Sequence, residues 1–135
     1  MTCLPPPYRA IAAALAMASA LAGCATVTEQ SLLQKGVKPF TAAEMKDYFS
    51  RARSSSFVTA TNATGRIRYA TDGSVTVDAG QRSIAGKWRL SGDEVCTTYT
   101  ELRNGREGCV RFYRTGPKEI TTFWPEGPTV GTELD

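Results

Sequence analysis

Histidine is missing from this chain of 135 residues, which narrows the chemistry its other side chains can do. A nucleophile activated by imidazole and a His-ligated zinc are both excluded. So is the one side chain that titrates near neutral pH without perturbation. Four cysteines, at positions 3, 24, 96 and 109, and thirteen carboxylates are left to consider. Asp93 and Glu94 are adjacent, so on a strand they point to opposite faces and cannot act as a catalytic pair. Asp72, Asp78 and Glu101 fall in expected turns or at strand ends, where solvated charge is sufficient explanation. There is no Ser-Lys nucleophile spacing and no phosphate-cradling glycine loop; the glycines punctuate turns. The net charge of +3 is spread along the chain and makes no concentrated basic face for nucleic acid. The expectation is a protein with no catalytic residue, no metal, no cofactor and no nucleic-acid partner.

Cys24 has a different context. Residues 10–22 form a run of thirteen, almost all Ala, Leu, Ile or Met, behind Arg9 and Pro5-Pro6-Pro7. That is the length of a secretory apolar core and too short for a membrane span of about 20 residues. The run ends in Leu21-Ala22-Gly23-Cys24, which resembles the lipobox of bacterial lipoproteins. The resemblance implies cleavage before Cys24, acylation of its thiol and of the new amine, and anchoring in a membrane. Two or three acyl chains make such anchoring durable, at about 0.8 kcal/mol per buried CH₂. Thr26, rather than Asp, stands two residues after the anchor, which by resemblance to Gram-negative lipoproteins favours the periplasmic side of the outer membrane. The chain then divides into a signal peptide at 1–23, a lipidated tether at 24–39 and a domain at 40–135.

Cys3 leaves with the leader and Cys24 with the lipid. Cys96 and Cys109 remain as an even pair in an oxidising compartment, where a disulfide is the default. Two strand registers compete. A tight Asn104-Gly105 hairpin opposes Cys96 to Tyr113 and sets Cys109 roughly 13 Å away along the strand, beyond disulfide reach. A six-residue loop from Thr100 to Gly105 opposes Cys96 to Cys109 and Val95 to Val110, and is the register favoured.

The elements that must carry these residues follow from periodicity. Thr41-Ala42-Ala43-Glu44 reads as a capping box, and Phe40 with Met45 as a hydrophobic staple. Met45, Tyr48, Phe49 and Ala52 make an apolar stripe, and Ser54-Ser55-Ser56 is expected to end the helix. Beyond Gly65 the period becomes two. Opposing Ile67 to Val77 and Tyr69 to Val75 requires a three-residue loop with Gly73 left-handed. A hairpin about Ser91-Gly92 is expected to set Trp88 against Val95, Ile84 against Tyr99 and Arg89 against Glu94, with Cys96 on the face away from Trp88. Val110 and Phe112 then point inward, and Ile120, Thr122 and Trp124 read as a last strand, ended by Pro125, Gly127 and Pro128 ahead of a polar tail.

Gly86-Lys87-Trp88, Gly92-Asp93, Cys96 and Cys109 together resemble a family of small uncharacterised secreted domains of proteobacteria. The resemblance covers residues 40–124 and implies export and a compact β-rich domain, with no activity assigned. A weaker similarity is to small periplasmic β-barrel inhibitors of metalloproteases. The fold expected is mainly β: one N-terminal helix on an antiparallel meander of about six strands, curling into an open or calycin-like barrel. Tyr48, Phe49, Trp88 and Tyr99 converge in this arrangement as a candidate apolar pocket. The function expected is an outer-membrane lipoprotein whose domain is structural or binds an envelope protein or apolar ligand. The alternative is an inhibitor of a secreted hydrolase, inserting a loop or its N-terminal segment into a cleft.

Overall fold

The computed structural model describes residues 26–134. The leader, Cys3 and Cys24 lie outside the described residues, and the signal-peptide and lipidation readings with them. Two short helices, α1 (Glu29–Gln34) and α2 (Ala42–Tyr48), precede nine strands: β1 (Arg53–Thr59), β2 (Thr64–Tyr69), β3 (Ser74–Ala79), β4 (Arg82–Ser91), β5 (Glu94–Tyr99), β6 (Gly108–Val110), β7 (Tyr113–Gly116), β8 (Glu119–Trp124) and β9 (Gly127–Glu133). All pairings are antiparallel, in the order β6-β5-β4-β3-β2-β1-β9-β8-β7. The two edge strands are consecutive in the chain, joined by Arg111 and Phe112 alone. The sheet therefore has to curl until its edges approach, and it forms a half-barrel.

Nine strands replace the expected six or so. The helix stops at Tyr48, and Ser54-Ser55-Ser56 begins a strand rather than ending a helix; Ala52 is exposed and outside the stripe. The supposed polar tail is β9, which lies between β8 and β1 and is hydrogen-bonded to both. Neither β1 nor β9 shows a clean apolar alternation, since Ser, Thr and Gly occupy most inward positions. Their place in the sheet comes from backbone pairing on both sides. The segment expected to be a tether contains α1, where Leu32 is buried and the Glu29 carboxylate accepts from the Tyr113 hydroxyl.

The capping box of α2 and the Met45, Tyr48 and Phe49 part of its stripe are as expected. The Glu44 backbone N–H donates to the Thr41 hydroxyl at 3.2 Å, and the Thr41 N–H donates to the Glu44 carboxylate at 2.7 Å. Met45, Tyr48 and Phe49 are buried against Val95, Val110, Phe112 and Ile120, which makes α2 the plug of one barrel end. The β2–β3 register is as expected, with Ile67 opposite Val77, Tyr69 opposite Val75 and Gly73 at φ +88°. The β4–β5 register is not. Trp88 faces Thr97, Leu90 faces Val95, and Gly86 faces Tyr99, two residues along from the expected pairing. The turn is Gly92-Asp93, with Gly92 at φ +60°, where a II′ turn takes glycine. A slip of two preserves every side chain's face, so alternation could not detect it. The ion pairs change accordingly: Arg89 binds Glu107 through two nitrogens at 2.6 and 2.8 Å, and Arg111 meets Asp93 at 3.6 Å.

Candidate functional site

Inward-facing residues of most strands surround a cavity of about 420 Å³. That lies within the few-hundred to thousand Å³ range of sites that hold small organic molecules. Phe57 on β1, Ile67 and Tyr69 on β2, Val77 on β3, Tyr99 on β5 and Trp124 on β8 supply much of the wall. Antiparallel pairing places the β1–β2 turn (Ala60, Thr61, Ala63), the β8–β9 turn (Glu126) and Leu102 after β5 together at the mouth. Tyr48, Phe112 and Ile120 close the opposite end over α2. Glu126 is the one charged side chain of the lining, among the described residues.

Glycines give the wall its shape. A Cβ on Gly65 would stand 2.6 Å from the Phe57 ring, and one on Gly86 would stand 2.6 Å from Tyr99. A Cβ on Gly108 would meet Trp124 at 2.9 Å. Each aromatic ring lies across bare backbone, so it covers the sheet without filling the interior.

Of the four residues expected to form a pocket, the structure brings Tyr48 and Tyr99 to the cavity wall. Phe49 and Trp88 pack beneath it, with ring centroids 4.8 Å apart, and the Trp88 indole N–H donates to the Ala70 carbonyl at 2.8 Å. Both meet Tyr69, at 5.1 and 6.2 Å, and together they make the floor on which its ring stands. Tyr69, Phe57 and Trp124 are wall residues that sequence reasoning did not assign to a pocket. Tyr69 and Trp124 are inward members of alternating runs, which was the available signal; Phe57 lies on β1, whose Ser and Thr neighbours give no such pattern.

Three tyrosines carry the polarity of this interior. The Tyr69 hydroxyl donates to no group among the described residues. The ring is enclosed by protein, and its remaining accessible surface faces the cavity. Burial, then the neighbouring phenols of Tyr99 and Tyr48, holds its pKa well above the ordinary tyrosine value, so it stays a proton donor. Burial likewise raises Tyr48 and Tyr99. Arg103 stands behind this wall, its guanidinium 5.3 Å from the Tyr99 ring centre and 4.9 Å from that of Trp124. One of its nitrogens donates to the Thr97 carbonyl at 2.6 Å and to the Thr97 hydroxyl at 2.9 Å. No carboxylate among the described residues is within ion-pair distance of it.

Cys96 and Cys109 face each other across β5 and β6, with Val95 opposite Val110, as the longer-loop register requires. Their sulfurs are at bonding distance, 2.04 Å. The link lies on the outer face of the sheet, away from the cavity. Asn104-Gly105 forms part of a short 3₁₀ turn inside the loop and not a two-residue hairpin; Arg103 and Asn104 both have positive φ, +52° and +54°. No helix among the described residues is long and apolar enough to cross a membrane. Comparison with protein-family models, with characterised proteins and with solved structures finds no match to this chain.

Proposed function

We propose that this chain is a lipid-anchored protein of the bacterial envelope whose half-barrel binds an apolar or amphiphilic small molecule. The observation that carries the binding reading is the cavity of about 420 Å³, walled by aromatic and aliphatic side chains and open at one end. A structural module of this size gains nothing from such a space, because each unfilled volume in a core costs packing energy. The anchoring reading rests on Leu21-Ala22-Gly23-Cys24 and the apolar run before it, and the outer-membrane assignment on Thr26. The envelope then provides both the tether and a supply of apolar ligands.

The reading assigns no catalysis. Asp78, Asp93, Glu101, Glu107 and Glu133 each lie within ion-pair distance of an arginine, and Glu126 sits at a turn. An inhibitor of a secreted hydrolase would need a segment free to enter a cleft. The N-terminal segment is held at α1 by the Glu29–Tyr113 hydrogen bond, and of the loops the one after β5 is held by Arg103 folded back onto Thr97. This favours the binding module.

The test uses the full chain expressed in a Gram-negative host. Acyl labelling of the protein, lost in Cys24→Ser, together with a small apolar molecule retained in native mass spectrometry, is the expected result. An unmodified mature N-terminus overturns the anchoring. A protein that carries no small molecule, takes up none from envelope lipid extracts and instead titrates a protease or lysozyme one-to-one overturns the binding module in favour of the inhibitor.

A further inference from the structure

The cavity wall is mainly apolar, with hydroxyls of Ser55, Thr59, Thr61, Thr122 and Thr129 and of three tyrosines among its lining. Tyr69 presents a hydroxyl to it that no protein group satisfies among the described residues, with Tyr99 beside it. The hydroxyl is accessible from the cavity, so its proton is free to be donated to a ligand atom that enters there. Arg103, behind the Tyr99 and Trp124 rings, adds a positive charge with no carboxylate to offset it, and its field acts through a low-dielectric wall. At the other end, Glu126 puts a negative charge on the mouth. A ligand with an anionic head is therefore attracted to the wall of Tyr69, Tyr99 and Arg103 and repelled by Glu126 at the rim.

Resting on the binding reading above, we infer that the half-barrel takes a single-chain aliphatic carboxylate. Its head points inward and accepts from the Tyr69 hydroxyl, and its chain lies along Phe57, Ile67, Val77 and Trp124 toward the mouth. A cavity of about 420 Å³ is of a size that takes one alkyl chain of moderate length. The high pKa of Tyr69 is consistent with its role, because a phenol that resists ionisation keeps donating and does not repel the carboxylate.

Three photoreactive probes with the same alkyl chain test this: one ended by a carboxylate, one by a methyl group, one by a trimethylammonium. Each is added to the purified full chain, and crosslinks are mapped by peptide mass spectrometry. The carboxylate probe should label the cavity wall most strongly, and Tyr69→Phe should cut that labelling about tenfold, the loss of one hydrogen bond to a charged group, toward the level of the methyl-ended probe. The variant removes an oxygen that has no protein partner, so its melting temperature should not fall. Should it fail to fold, the ranking of the three probes on the wild-type chain decides the class by itself. Equal labelling by all three probes, unchanged in the variant, overturns the carboxylate class and leaves the apolar binding site standing. Cavity labelling by none of them overturns both.

Discussion

Cys96 and Cys109 are placed so that one bond secures an edge. β6 is three residues long and pairs with β5 alone, and the link joins its middle residue to the facing residue of β5. Arg89 and Glu107 lie beside it, but both are well exposed and such pairs contribute little. The covalent bond adds a restraint on the edge to the backbone pairing with β5 and the burial of Val110. By the chain-entropy relation, closing a loop of about fourteen residues adds roughly 3 kcal/mol. Replacing both cysteines by alanine should lower the unfolding free energy by about that amount in urea titrations, and non-reducing peptide maps of the wild type should join the two cysteine peptides. Two alkylatable thiols in protein taken from the envelope would contradict the bond. Tyr113 shows how a residue's face and its exposure can part company. It points outward on β7, as alternation predicts, yet none of it is solvent-accessible, and its hydroxyl is tied to Glu29 of α1.

Among the elements, β9 has the largest consequence. It pairs along its length with β8 and with β1, so it joins the β1–β6 meander to the β7–β8 hairpin. Removing residues 127–134 should abolish cooperative folding, not trim a tail. Far-UV circular dichroism and amide proton dispersion on the truncated chain would show loss of the sheet; a well-dispersed spectrum would mean β9 is dispensable. α2 has a complementary task. Its capping box fixes where the helix starts, and Met45, Tyr48 and Phe49 then reach the barrel end they close. Both elements bear on the cavity, β9 through Thr129 and Gly131 in the wall and α2 through Tyr48.

For the whole molecule, an interior rich in phenols has a pH signature. Tyr48, Tyr69, Tyr99 and Tyr113 all have pKa values raised by burial, with Glu29 adding to the shift at Tyr113, which reaches about 12. The unfolded chain ionises its tyrosines near 10. Each raised phenol therefore contributes stability that is fully present below about pH 10 and is lost as pH climbs through the folded values. Stability should be flat in these four groups through neutral pH and fall steeply between about 10 and 12. Phenolate absorbance should rise over the same pH range as circular dichroism is lost, because the fold opposes ionisation of the raised phenols. Tyr113→Phe should soften the fall as pH approaches about 12. Phenolate appearing well before unfolding would mean that the interior is open to hydroxide.

Local physics determined much of this molecule from sequence alone. The Thr41–Glu44 box depends on residues three apart, the β2–β3 register on one turn and two alternating pairs, and the Cys96–Cys109 register on the expectation of a disulfide, which the competing Asn104-Gly105 hairpin could not accommodate. A β-rich fold is also legible, because period-two patterning fills most of the chain from Gly65 onward. Four things required the tertiary structure. The β4–β5 register was ambiguous because a slip of two leaves every face unchanged. β1 and β9 were invisible because they are held by backbone hydrogen bonds to neighbours distant in sequence, and their Ser, Gly and Thr residues carry no apolar signal. The closing of the sheet follows from β9 sitting between β8 and β1, a long-range pairing that no local pattern encodes. The cavity follows in turn from that curvature. Trp88 and Phe49 have the composition of pocket residues but pack into the floor, while Tyr69, two residues from Ile67 on the same face, stands over them with its hydroxyl in the open interior.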